Sequence, residues 1–264
     1  MSGLLKLALD PNQLQAKYQP LVDCRCAGTP IVMVECLIRG PRDTNLFNPQ
    51  VLFEYARRKH VEHALDLLAF HCFLGELSRT CDIPFSVNFH ASTLSRDRGI
   101  VAQILALLQE SGVPARLLHI ELIESAPEIN VSMLVRNLND LRQAEVQIVL
   151  DDFGVAYANL HLLDIVRPEI VKIDRSLLPV GTTDPTAPTC FLAAVKCAQT
   201  VGARSVAEGV ETAEQLAYVR SLEVDYAQGF YFDWPMDISQ LQNRLWQYMP
   251  AENLQDAIPT RRLS

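Results

Sequence analysis

Seven short apolar runs recur along this chain, and each ends in a carboxylate, an amide or a lysine. They place Glu35 after Met33-Val34, Asn88 after Ser86-Val87, Glu121 after His119-Ile120 and Asp151-Asp152 after Ile148-Val149-Leu150. Lys172 and Asp174 fall within Ile170-Val171-Lys172-Ile173-Asp174, Glu208 follows Ser205-Val206-Ala207, and Gln228 follows Tyr226-Ala227. Roughly 20 to 50 residues of mainly helical pattern separate them, the rhythm of strand-helix units in an α/β protein. Polar residues placed repeatedly at strand ends point to one shared pocket.

The pattern predicts eight strands, over residues 18–23, 31–39, 85–89, 118–123, 146–151, 170–174, 204–208 and 226–232. Segments 99–111, 131–143, 190–201, 213–221 and 238–249 carry apolar residues at three-and-four spacing, as helices packed on a sheet do. Eight such units in about 250 residues are most simply a single (β/α)8-type barrel, whose chemistry sits at the carboxyl ends of its strands. The rival, a doubly wound sheet, would bind its ligand at a glycine-rich first turn, which this chain lacks.

Length and composition fit one compact domain. The stretch 179–188, rich in Thr, Pro and Gly, reads as a long surface loop after the sixth strand. No apolar run reaches the ~18 residues that span a bilayer, and the N-terminus lacks a signal-peptide pattern, so a cytoplasmic location without membrane insertion is expected. Seven cysteines, an odd number in apolar or helical settings, fit a reducing compartment. Cys24 and Cys26 are the one close pair, and no second pair completes a zinc site. A formal charge of −8 argues against extended nucleic-acid binding. A phosphate substrate then requires the site to hold its own cations.

Strand alternation assigns the faces. Glu35, Leu37 and Arg39 share one face of their strand, while Val34, Cys36 and Ile38 share the other. The second set is apolar and suits helix packing outside a barrel, which turns Glu35 and Arg39 inward. By the same test Glu121 faces in, Lys172 and Asp174 share the inner face, and Asn88 and Asp151 take matching positions. Carboxylates and an amide converging in a barrel need cations, because buried charge without partners is costly. Hard oxygen ligands without cysteine or histidine indicate magnesium or manganese rather than zinc. Adjacent Asp151 and Asp152 further suggest one carboxylate bridging two ions.

The ordered set of motifs resembles the EAL-domain phosphodiesterases, which hydrolyse cyclic di-GMP to linear pGpG. The similarity runs from Tyr18-Gln19-Pro20 to about Pro235, through Glu35-Cys36-Leu37, Val87-Asn88, Glu121-Leu122-Ile123-Glu124, Asp151-Asp152-Phe153-Gly154, Lys172-Ile173-Asp174, Ala207-Glu208-Gly209-Val210-Glu211 and Gln228-Gly229-Phe230. It implies an α/β fold, a TIM-barrel-like (β/α)8 EAL domain with an irregular antiparallel first strand. The domain is expected over residues 18–249, between a short N-terminal extension, 1–17, and a C-terminal tail, 250–264.

The resemblance also implies roles. Glu35, Asn88, Glu121 and Asp151 resemble ligands of a first metal ion, and Asp151, Asp152 and Glu208 the site of a second. Mg2+ or Mn2+ would be the cofactor, two ions per site, with Ca2+ inhibitory. Lys172, Glu208 and Glu211 are expected in catalysis, with Lys172 contacting the attacking water. Gln19, Leu37, Arg39, Asp174, Gln228 and Pro235 are expected at the substrate, and Glu124 anchors a loop. A barrel lysine can also form a Schiff base, but acidic surroundings keep this one protonated.

Three departures from the family pattern stand out. Cys36 replaces the usual alanine on the face turned away from the metals. Ile123 replaces a threonine, and Val155-Ala156-Tyr157-Ala158 replaces the usual Thr-Gly-Tyr-Ser. That last loop is linked in the family to dimer contacts and to ordering of the second metal site, so the lost hydroxyl and glycine alter its hydrogen bonding and backbone freedom.

Two functional classes follow: an active phosphodiesterase, and a catalytically weak or inactive domain that serves as a cyclic di-GMP receptor or protein-interaction module. The resemblance implies a homodimer. The short ends leave no room for the sensory or cyclase modules common in the family, so input is expected from a regulatory partner protein, oligomerisation, expression or substrate level. His60 and His63 read as a solvated helix face, His119 as packing inside the barrel, and Trp234 as a cap on the last strand, with guanine stacking as its alternative.

Overall fold

The computed structural model describes residues 3–78, 82–123, 129–155, 158–179 and 187–248. The predicted loop-anchoring Glu124, Ala156 and Tyr157 of the altered loop, most of the 179–188 loop and the C-terminal tail lie outside the described residues.

Eight strands close into a barrel in chain order: β1 (Gln15–Asp23), β2 (Ile31–Arg39), β3 (Phe85–His90), β4 (Leu118–Ile123), β5 (Gln147–Phe153), β6 (Ile170–Ile173), β7 (Arg204–Ala207) and β8 (Tyr226–Ala227). Strand β1 runs antiparallel to both neighbours, with a register shift at Leu21/Val22, and all other pairs are parallel. This is the irregular antiparallel first strand that the family resemblance implies. The helices are α1 (Gly3–Ala8), α2 (Pro49–Arg58), α3 (Glu62–Leu77), α4 (Ala91–Leu94), α5 (Gly99–Ser111), α6 (Val131–Gln143), α7 (Ala158–Val166), α8 (Ala187–Thr200), α9 (Ala213–Ser221) and α10 (Ile238–Tyr248).

Local chemistry sets many of the boundaries. Asn48 caps α2 through its side chain, Asn130 caps α6, and Thr212 with Gln215 forms a reciprocal capping box on α9. Gly112 ends α5 at φ +70, a left-handed conformation that a side chain disfavours. None of the described helices is long and apolar enough to cross a membrane.

Alternation along the strands sorts residues as the sequence predicts. Val34, Cys36 and Ile38 join the large core between barrel and helices. Leu21, Met33, Val149, Ile170, Val206 and Tyr226 form a separate apolar cluster within the barrel. One step further toward the end of the barrel where the parallel strands finish come Gln19, Glu35, Asp151, Lys172, Glu208 and Gln228. An apolar plug thus seals the barrel beneath a polar layer, the layered filling expected of this architecture.

One predicted strand is much too long. The run 226–232 looks strand-like, yet β8 stops at Ala227. A Cβ on Gly229 would fall 2.1 Å from the Val210 carbonyl oxygen, so only glycine permits the approach that turns the chain there. Beyond it, Tyr231 N–H donates to Val210 O and Phe232 N–H to Gly229 O, a turn rather than a ladder.

Candidate active site

The polar layer is organised around Lys172. Its side chain is 1% exposed, and its Nζ lies 2.8 Å from Glu121 Oε2, 2.8 Å from Glu208 Oε1, 3.1 Å from Asp151 Oδ1 and 3.2 Å from Glu35 Oε2. Gln228 Nε2 donates to Glu35 Oε2 at 2.7 Å and to Gln19 Oε1 at 3.3 Å, and Asn88 Nδ2 donates to Glu35 Oε1 at 3.2 Å. Strand register makes these contacts possible: Gln19 lies opposite Glu35 on β1 and β2, and Asn88 beside Glu121 on β3 and β4.

Period-two alternation alone would send Asp151 and Asp152 to opposite faces. A register shift between Leu150 and Phe153, with Asp152 at φ +50, interrupts the alternation. Asp151, Asp152 and Glu208 consequently offer carboxylate oxygens within 4.8 Å of one another. The strain of a non-glycine residue at positive φ is concentrated at a position that the chemistry would use.

One lysine cannot neutralise its four carboxylates. Burial opposes ionisation of Glu35, but Lys172, Gln228 and Asn88 together hold it below its usual pKa. Burial and the Glu35 charge push Glu121 up to about 8. Burial likewise raises Glu208 well above the usual range, and partial burial with the neighbouring Asp151 lifts Asp152 to about 6. Lys172 is held protonated despite its burial by Asp151, Glu121, Glu208 and Glu35.

Asn88 Oδ1 and Glu121 Oε1 are buried acceptors without hydrogen-bond donors. Excess carboxylate charge and acceptor oxygens lacking donors fit hard divalent cations, which take oxygen ligands. The residues present therefore suit magnesium or manganese.

Above this layer opens a cleft of about 250 Å3, lined by Gln19, Glu35, Asp152, Asp174, Glu208, Glu211 and Gln228 among the expected residues. Leu37 and Arg39, both half-buried, lie two and four residues beyond Glu35 on β2, outside this lining. Pro235 borders a shallow depression with Trp234 and Met236. Trp234 is 64% exposed and stacks on Phe230 rather than capping β8, with ring centroids 3.6 Å apart. His119 is buried and its Nδ1–H donates to Leu117 O at 3.3 Å, on the inner face of β4 as expected.

Several residues here received no role from sequence reasoning. Arg175, Gly209, Gly229 and Phe230 also line the cleft, each within two residues of one already given a role. Asp66 on α3 is fully buried and accepts from His90 N–H at 3.1 Å, with its other oxygen 2.8 Å from His90 Nδ1. This ties the end of β3, just past Asn88, to a helix. No local pattern links residues 24 apart, so only the tertiary fold reveals the contact.

Residues 4–235 match the family described as EAL domain. Cyclic di-GMP phosphodiesterase NbdA of Pseudomonas aeruginosa is 28% identical over 278 residues, an overlap covering 100% of this chain and 34% of that protein. The chain thus spans about a third of that relative's length. Among solved structures, the PaMucR phosphodiesterase in complex with c-di-GMP matches with a TM-score of 0.79 at 26% identity, over 90% of this chain and 97% of that one. The calcium and cy-diGMP complex of Klebsiella pneumoniae BlrP1 matches with a TM-score of 0.75 at 25% identity, over 86% of this chain and 57% of that one. The sequence match runs from α1 to the turn after β8, and the closed barrel is shared with solved members; the chain belongs to the EAL domain family.

Proposed function

We propose that this protein hydrolyses cyclic di-GMP to linear pGpG in a reaction dependent on divalent metal. The observation that carries this reading is the group of five carboxylates and one amide around Lys172 at the floor of the cleft, with buried oxygens lacking donors. A non-catalytic receptor needs no such concentration of uncompensated acid.

Glu35, Asn88, Glu121 and Asp151 would hold one ion, and Asp151, Asp152 and Glu208 a second. Ions bound there would polarise the phosphoryl oxygens and lower the pKa of water. Lys172 orients the attacking water and offsets charge gained at the phosphoryl group. Water oxygen joins phosphorus while the P–O3′ bond breaks; the water yields a proton to a carboxylate, and the departing 3′-oxygen takes one up. Gln19, held between Gln228 Nε2 and the Asp233 carbonyl, fixes the wall against which the dinucleotide rests. Asp174 and Glu211 also line the cleft.

Chromatography of cyclic di-GMP incubated with the protein and Mn2+ tests the reading. Appearance of pGpG, abolished by a chelator, is the expected result. Binding of cyclic di-GMP without any cleavage would favour the receptor class instead, for which the altered Val155-Ala156 sequence is the specific argument.

A further inference from the structure

The cleft is lined by acids, yet its proposed substrate is a dianion. Lys172 beneath it is occupied by four carboxylates, and Arg175 is the one cation among the described residues lining the cleft. Arg175 opens a 3-10 turn directly after β6, fixed where Asp174 Oδ1 accepts from Ser176 N–H at 2.8 Å. The base of its side chain packs on Gly209: a Cβ there would lie 2.5 Å from Arg175 Cβ, and Gly209 sits at φ +65. The tip is unconstrained. The side chain is 69% exposed, and Nη1 is 4.0 Å from Glu211 Oε1, the outer limit of an ion pair and of little energetic consequence at that exposure.

We infer that Arg175 is a substrate-contacting residue, whose guanidinium closes on the scissile phosphate. The inference rests on the cyclic di-GMP reading and follows from position. In a closed ring of eight strands, β6 lies four places from β2, so Arg175 and Arg39 rise from opposite walls. Asp151 and Asp152 on β5 and Glu208 after β7 flank β6, which sets Arg175 over the acid cluster where cleavage would occur. Arg39 then faces the other phosphate of the cyclic dinucleotide. A planar guanidinium can bond two phosphoryl oxygens at once, and its attraction grows as charge builds on them. Gly209 leaves room for the stem of the arm, and the weak contact with Glu211 leaves the exposed tip free to turn to substrate.

The test compares wild type, Arg175→Ala and Arg175→Lys in Mn2+-supported turnover, in cyclic di-GMP binding with Ca2+, and across a range of salt. For Arg175→Ala, kcat/KM is expected to fall roughly 10- to 100-fold, mainly through kcat, because the contact strengthens in the transition state. Binding should weaken less, the salt dependence should flatten, and Arg175→Lys should recover part of the rate. Thermal melting should be unchanged for both variants. If Arg175→Ala stays within about twofold of wild type in kcat/KM and keeps its salt dependence, Arg175 is only a surface partner of Glu211 and the inference is overturned. If wild type neither binds nor cleaves cyclic di-GMP, the functional reading itself fails and takes the inference with it.

Discussion

A lysine within 3.2 Å of four carboxylates leaves that cluster with excess negative charge unless protons or metal ions supply the difference. Glu121, Glu208 and Asp152 carry raised pKa values, so the metal-free folded protein holds protons that the unfolded chain would release. The sign follows: where the folded state binds more protons, stability falls as pH rises. For Glu121 the fall begins above its ordinary 4.5 and is complete past about 8. Glu35, held low, and Lys172, held high, contribute evenly across that window. Metal-free protein is therefore expected to melt at a lower temperature at about pH 8 than at about pH 5.5, and Mn2+ to stabilise it more at the higher pH. A metal-free melting temperature that climbs with pH would contradict this charge balance. Lys172→Met should destabilise the metal-free protein by about 3 kcal/mol at high pH and less at low pH, where protons replace the lost cation. Equal losses in denaturant titrations at both pH values would remove Lys172 from its proposed role. At this scale the sequence was informative wherever alternation held: Glu35, Glu121, Lys172 and Gln228 sit where period two puts them. Asp152 does not follow from alternation, because a bulge turns it. Arg175 lies in a turn, where no period applies.

Among the elements, helices with strong caps and unbroken apolar spacing were readable to the residue: α5, α6 and α9 have the bounds that the pattern predicts. Strand ends were less so. The aromatic run after Gln228 mimics a strand, and only the contact between Gly229 and Val210 shows why it is not one. The loop after β5 is the element in which this chain departs most from the family pattern. A Cβ on Gly154 would fall 2.3 Å from Leu177 Cδ1, so the chain passes hard against the turn that follows Asp174, while Val155 is exposed. Val155→Thr with Ala156→Gly should raise kcat more than it alters cyclic di-GMP affinity in Ca2+, because the proposed substrate contacts lie outside this loop. If the double variant leaves kcat unchanged, or changes binding alone, the departure at this loop carries no cost to catalysis.

At the scale of the whole molecule, a net charge of −8 opposes approach of any polyanion, so the proposed substrate would be selected in the cleft rather than at the surface. Under the proposed function, Gln19 on one wall, with Arg39 on β2 and Arg175 after β6, would face a ligand with two phosphates. Cyclic di-GMP should exceed bis(p-nitrophenyl) phosphate in kcat/KM by at least ~100-fold, since a generic diester makes none of the remote contacts that raise transition-state binding. Comparable values for the two would dissolve the specificity argument.

The central claim is that oxygen ligands converging around Lys172 make a metal-dependent phosphodiesterase. Turnover of cyclic di-GMP by Asp151→Ala at saturating Mn2+ tests it most directly, because Asp151 stands in both proposed ligand sets while the apolar plug and outer core do not depend on it. The account predicts a soluble, cooperatively melting variant in which pGpG formation drops by about 1,000-fold or more. Substantial retention of the wild-type rate under those conditions would contradict it.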